Sequence, residues 1–382
     1  MDLRPPQKIS IGALCLYFIR LGTTGFGGPV ALTAAMQDDL VIKKNWFTQQ
    51  TFQEGMVLSQ LAPGPLAAQM SIYFGWAHSG IVGAALSGLS FILPGFIIVI
   101  ILSIFYVQFG SLPWIQGLFY GVGASVIAII SMGVYKLSNK NLKTNKLLWA
   151  VAIINCIITA VTETELLSVF LISGLLVMFI DKYLKNKNLA AAFFPPILFT
   201  GLYGPADNET LFRILKFFTK AGAFVFGSGL AIVPFLHSGV VLENQWLNER
   251  QFLDAVAIAM ITPGPVVITV AFIGFLVAGF FGAVLACLGT FLPCYFFTII
   301  PAPYFSKWSK NHYIHDFVLG VTAAAIGAIG GAVYILAKKA LIDWPTILIC
   351  IASLILIIRF KKLPEPVVVL MSGLIGFLIW KA

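Results

Sequence analysis

Charge is what this chain has least of. Only 10% of its 382 residues are Asp, Glu, Lys or Arg, whereas a soluble domain carries about a quarter. An ordinary water-soluble domain is therefore excluded. Acidic residues are scarcer than basic ones, 15 against 24 Lys and Arg, giving a net charge of +9. The excess sits almost entirely in short loops, where it marks topology and membrane-surface contact, so no nucleic-acid partner is expected. The chain also lacks the strands of about ten alternating polar and apolar residues that build a membrane β-barrel.

The residues of metal sites and catalysis are equally thin. The five cysteines, Cys15, Cys156, Cys287, Cys294 and Cys350, all fall inside apolar segments. Cys287 and Cys294 share a helix face but have no thiolate partners, and they read as small core residues. His312 and His315 lie in a basic loop without the partners a zinc site needs. There is no nucleotide-binding loop and no Ser/His/Asp set. An ATP-driven pump and an enzyme both lack their machinery, and no metal or cofactor is expected. The first ten residues are basic and polar with no cleavage-type signal, so the first hydrophobic segment is expected to remain part of the membrane domain.

Hydrophobic residues make up 59% of the chain. Predominantly apolar stretches such as 81–107, 212–236 and 279–305 reach or exceed the ~20 residues that cross a bilayer as a helix. The expected fold is an all-α polytopic membrane protein. Its first half contains hydrophobic segments at 11–36, 52–77, 81–107, 114–135, 147–161 and 166–180. The second half mirrors them at 211–236, 252–277, 280–304, 317–337, 344–358 and 367–380.

The mirroring is a duplication. Between Arg20–Pro65 and Lys220–Pro265 there are about ten identities in about 46 ungapped pairs, mostly on Gly, Pro and aromatic residues. Phe26-Gly27 recurs as Phe226-Gly227, Trp46 as Trp246, Phe52 as Phe252, and Pro63-Gly64-Pro65 as Pro263-Gly264-Pro265. Beyond the second segment the register slips by one, so that Leu93-Pro94 matches Leu292-Pro293. Three parts follow: an N-terminal transmembrane repeat (1–188), a connecting hydrophobic segment (189–206) and a C-terminal transmembrane repeat (207–382).

Loop charges decide how the halves are oriented. Lys136, Lys140, Lys143 and Lys146 place their loop in the cytoplasm, and the acidic Glu163 and Glu165 place the next one outside. If 189–206 crosses the membrane, Lys307, Lys310, Arg359, Lys361 and Lys362 also fall inside, and only Lys338 and Lys339 fall outside. If it does not cross, that score reverses. The halves are therefore expected to form an inverted repeat.

Two Gly/Pro breaks interrupt each half, and they mark broken spanning helices or re-entrant hairpins. Backbone that leaves the helix at membrane depth survives only against protein or a water-filled cavity. Each break also frees a helix N-terminus, which attracts anions. Arg20 and Lys220 occupy matched positions ahead of the first break, and Glu54 and Asp254 ahead of the second. Each such charge costs about 2.5–3.5 kcal/mol at depth, which argues for a compensating role. Arg20 and Lys220 would make the site electropositive for an anion with several oxygens, while Glu54 and Asp254 would balance the empty site or take up protons for coupling.

The breaks Phe26-Gly27-Gly28-Pro29 and Ala62-Pro63-Gly64-Pro65, with Phe91-Ile92-Leu93-Pro94-Gly95-Phe96, resemble the chromate ion transporter family, in its long, fused two-domain form. The resemblance covers most of the chain. It implies a multi-pass protein of the bacterial inner (plasma) membrane that exports chromate, with sulfate as a related dianion, driven by the membrane potential or a proton gradient. Its motif falls on Phe26, Gly27, Gly28, Pro29, Pro63, Gly64 and Pro65, and in the second half on Pro263, Gly264 and Pro265; Gly227 and Ser228 of the matching break join the candidate binding residues. The second half departs at Ser228-Gly229, where the Gly-Pro pair is lost. A passive oxyanion channel and a sulfate transporter stay open as alternatives, the bilayer is the expected partner, and a homodimer is left open.

Overall fold

The computed structural model describes residues 9–26, 28–110, 112–162, 167–182, 208–227, 229, 232–304, 312–360 and 363–380. Gly27, Ser228, the connecting segment 189–206, Glu163, Glu165, Lys307, Lys310, Lys361 and Lys362 lie outside the described residues.

Helix α1 (Ile11–Thr24) starts where the Ser10 hydroxyl accepts the Ala13 N–H at 3.2 Å, capping one otherwise unpaired amide. It stops at Gly25, and the chain resumes as α2 (Gly28–Met36), which runs into a π-helical turn, Gln37–Lys43. The Tyr17 hydroxyl reaches the carbonyl of Ala35 at 3.5 Å. Along one straight axis these residues would stand roughly 27 Å apart, so the chain folds back at the glycines. Helix α3 (Gln49–Leu61), the short strand β1 (Gly64–Pro65) and the start of α4 (Leu66–Phe109) do the same. Tyr73 donates to the Glu54 carboxylate at 3.2 Å, and the Phe52 and Phe74 rings lie 6.4 Å apart.

Helix α4 itself reverses at Ser79 (φ −143°) and Gly80 (φ 61°), the latter a conformation that glycine adopts without strain. A Cβ on Gly75 would strike the Gly83 carbonyl, and one on Gly88 would sit 2.8 Å from Ile72. Residues 66–78 and 81–109 are thus antiparallel limbs, the second about 43 Å long at 1.5 Å per residue. The expected boundary near residue 79 is present. The hydrophobic segments 11–36 and 52–77, however, are folded hairpins.

Helices α5 (Pro113–Asn141), α6 (Lys146–Thr162) and α7 (Leu167–Lys182) follow. The second half opens with α8 (Asn208–Ala223), β2 (Phe226–Gly227) and α9 (Ile232–His237), which leads into a π-helical turn, Ser238–Glu243. It continues with α10 (Glu249–Ile261), α11 (Thr269–Ile299), α12 (His312–Ala340), α13 (Trp344–Arg359) and α14 (Glu365–Ile379). The fold-backs recur: Phe217 stacks on Phe235 at 5.3 Å, and α11 reverses at Ala278 (φ −150°) and Gly279 (φ 57°). A 3₁₀ turn, Val266–Ile268, precedes α11, whereas α4 begins directly after Pro65. The one-residue slip in register therefore falls within the second segment, between Pro65 and Gly75, and not beyond it.

The halves interlock. Helices α6 and α7 pack on α12, where Gly327 meets the Ala152 carbonyl and Gly320 meets that of Ser173. Reciprocally, α13 and α14 pack on α5, where Gly121 meets the Ser372 carbonyl and Gly117 meets Trp380. Such small-residue contacts let helix backbones approach closely where lipid offers no hydrophobic drive. The long limbs of α4 and α11 pack against each other. Tyr295 donates to the Ile81 carbonyl at 2.9 Å, and Phe96 lies 6.3 Å from Phe280. Those two pairs require the limbs to run in opposite directions.

Phe18, Phe74, Phe91, Phe218, Phe252 and Phe272 are fully buried, while Leu89, Ile101, Phe281, Ile355 and Leu378 face outward. Among the described residues four stretches are long and apolar enough to cross a membrane: Leu66–Phe109, Pro113–Asn141, Val266–Tyr304 and Asp316–Ala340. Large apolar side chains exposed along these helices are the surface expected of a membrane protein.

Candidate functional site

All four hairpin tips converge. Gly64 and Pro65 pair in parallel with Phe226 and Gly227, and the Gly64 N–H donates to the Val225 carbonyl at 2.5 Å. On the other side the Gly264 N–H donates to the Gly25 carbonyl at 3.0 Å. The second tip of each half is therefore bonded to the first tip of the other. Gly64 (φ +143°), Gly264 (φ +98°) and Gly28 (φ +73°) take backbone conformations that other residues resist. Gln69 is wholly buried and holds its own tip by donating to the carbonyls of Ala62 (3.2 Å) and Pro63 (2.9 Å).

Gly28, Pro29, Pro65, Gly229, Gly264 and Pro265 surround a cavity of about 10 Å³. That is room for roughly one water and too little for a tetrahedral oxyanion. The proposed motif residues Pro29, Gly64, Pro65, Gly227, Gly264 and Pro265 are thus brought together from four separate places in the chain. Phe26 is exposed, and Pro63 and Pro263 form the approaches to their tips.

Arg20 and Lys220 do not line this cavity. Each lies about one turn ahead of its break on the exposed side of α1 or α8. Lys220 belongs to a row, Arg213, Lys216 and Lys220, that runs along one exposed face of α8 towards the tip. The matching positions of α1 are Ala13, Leu16 and Arg20. Arg213 and Lys216 were not singled out from the sequence, although their i, i+3, i+7 spacing was a usable signal.

The two carboxylates are held by tyrosines of different origin. Glu54 accepts from Tyr73 of its own hairpin at 3.2 Å and from Gln50 at 2.9 Å. Asp254, 5% exposed, accepts from Tyr106 of the other half at 2.7 Å. A cavity of about 560 Å³ opens beside this pair, lined also by Gln116, Phe119, Arg250 and Gln251. Neither tyrosine was legible as a site residue, because both partnerships depend on the fold-back.

Comparison with known proteins shows the family and the duplication. The chromate transporter family model matches twice, over residues 12–179 and 212–377. A chromate transport protein of Cupriavidus metallidurans is 53% identical over 96% of this chain and 92% of its own length. A probable chromate transport protein of Synechococcus elongatus is 51% identical over 97% and 96%, respectively. A chromate transport protein of Pseudomonas aeruginosa is 29% identical over 98% and 94%. No solved structure matches the chain. With the duplicated model covering most of its length, this chain is a multi-pass membrane protein that belongs to the chromate transporter family.

Proposed function

We propose that this protein is a secondary transporter that exports chromate, and sulfate as a second dianion, across the bacterial inner membrane. The observation that carries this reading is the junction of four hairpin tips. It joins matched, helix-breaking segments of two repeats at the centre of a membrane protein, where secondary transporters keep their sites.

The halves act as inverted repeats, with the hairpins of each half re-entering from opposite faces. The antiparallel course of the long limbs of α4 and α11 supports this. The side on which α5 ends and α6 begins carries Lys136, Lys140, Lys143 and Lys146, so it is the cytoplasmic side.

The closed junction favours alternating access over a continuous pore, since an ion passes only when the tips separate. Arg20 and Lys220 then face water-filled crevices leading to the tips, and the freed amides of Gly64 and Gly264 meet the anion. Arg suits such an oxyanion through bidentate hydrogen bonding. Glu54 and Asp254 balance the empty site or take up protons. Outward movement needs no further energy source: an inside-negative potential of 100 mV drives a dianion out by about 4.6 kcal/mol.

The test is flux of chromate and of sulfate in proteoliposomes, with potential and pH gradient imposed separately. Outward chromate flux that follows the potential supports the reading. Absence of flux for both anions in a monodisperse preparation rejects it. Chromate flux that follows the anion's electrochemical gradient without saturating and without any response to pH points to the channel instead.

A further inference from the structure

The two matched carboxylates differ in what holds them, and the difference is built into the sequence. Once the slip is counted, Tyr73 in the first half corresponds to Phe272 in the second. Asp254 has therefore lost the hydroxyl that its own hairpin would have supplied. Tyr106, on the end of the long limb of α4, packs edge-on against Phe272 with centroids 5.3 Å apart and supplies the missing hydroxyl. Tyr106 in turn corresponds to Phe305, a residue type without a hydroxyl. One carboxylate is tied within a hairpin; the other ties the halves together.

We propose that Tyr106 and Asp254 form a one-sided latch, which holds the α10–α11 hairpin of the second half against the first half and keeps its tip in the junction. Three features support it. Asp254 is almost fully buried yet borders the 560 Å³ cavity, so the bond lies at the boundary between packed protein and open space. Phe119 flanks Tyr106 at 5.6 Å and, with Phe272, fixes the direction of its hydroxyl. The limb that carries Tyr106 also carries Gly95, where a Cβ would sit 3.1 Å from the Pro263 carbonyl at the tip of the same hairpin. A single limb thus touches the hairpin at its tip and at its outer end. Arg250, one turn before Asp254, is the cation that faces the pair. Breaking the bond frees the outer end, and the tip follows as a rigid lever.

The latch deepens the transport reading and rests on it, but it can be tested without a substrate. A cysteine is placed at Thr262, which is 5% exposed beside Pro263, and its labelling by a water-soluble maleimide is quantified by peptide mass spectrometry. Tyr106→Phe keeps the ring and its aromatic contacts and removes only the donor. It should raise labelling at position 262 by up to roughly tenfold, the population shift that one hydrogen bond to a carboxylate can hold. Asp254→Asn, a neutral and weaker acceptor for Tyr106, should fall between the parent and Tyr106→Phe, and Tyr73→Phe should not move the rate. Labelling unchanged by Tyr106→Phe overturns the latch.

A second readout uses flux. Cysteines replacing both Tyr106 and Asp254, joined by a cleavable thiol cross-linker, should slow chromate flux severalfold until the linker is cleaved. Undiminished flux in the cross-linked protein also overturns it. A wild-type protein that carries no chromate rejects the transport reading alone, and the labelling still decides the latch.

Discussion

Single residues carry the junction, and Gly64 carries most of it. Its φ of +143° is closed to other residues without strain, and an added Cβ would meet Cys294 Sγ and the Gln69 amide at 2.9 Å. Gly64→Ala should cost about 1–3 kcal/mol from the backbone alone, read as a lower thermal midpoint in detergent. Gly123→Ala, with open space around its Cβ, is the control. Arg20 makes the opposite case. It is exposed, so Arg20→Gln should leave the melting curve in place while abolishing chromate flux in proteoliposomes; wild-type flux would return Arg20 to a structural role. Proton coupling belongs to this scale too: flux should respond to pH in the wild type and lose that response in Glu54→Gln. Repetition in the sequence marked Gly64 and Arg20 alike, but it could not show that Gly64 sits in the junction while Arg20 lies on an exposed helix face outside it. It was silent on Tyr73 and Tyr106, because a hydroxyl's partner is chosen by the fold-back, and tyrosines are common in apolar segments for other reasons.

At the scale of elements, hydropathy located the segments and left their paths open. Residues 52–77 could read as a broken span or a hairpin because Pro63-Gly64-Pro65 is flanked by apolar residues on both sides. Only the meeting of Tyr73 with Glu54 separates a hairpin from a kinked span. Caps, by contrast, follow local chemistry. Asp343 caps α13 in a capping box with Thr346 and also accepts from the Tyr120 hydroxyl at 2.6 Å, fastening α5 to the start of α13. Desolvation opposes ionisation of Asp343, but hydrogen bonds from Tyr120 and Thr346 outweigh it and hold its carboxyl below the ordinary value. A depressed native pKa stabilises the fold at pH above the unfolded value and is lost as pH falls through the native one. Asp343→Ala should therefore cost about 1 kcal/mol at neutral pH, the worth of a cap. The gap from wild type should narrow below about pH 4, as read by thermal denaturation at both pH values.

The whole molecule shows what duplication alone cannot specify. Two matched halves might each have closed on themselves. Instead, the last two helices of each lie on the long fourth-segment helix of the other: α6 and α7 on α12, α13 and α14 on α5. Glycines make the exchange obligatory, since the approach at Gly121–Ser372 and Gly327–Ala152 admits no side chain between the backbones. A half on its own would expose these glycine-lined grooves and leave Gly64 and Gly25 without the partners that Val225 and Gly264 provide. Unpaired backbone groups at membrane depth cost several kcal/mol each, so a lone half has no stable tip. Residues 1–188 expressed alone should accordingly fail to give a monodisperse species in mild detergent. Co-expression with residues 189–382 should restore a single species of full-length size. Because the tips are shared, chromate flux should return only with that species. A monodisperse, thermally cooperative 1–188 fragment would show that the interlock is packing added to halves already complete.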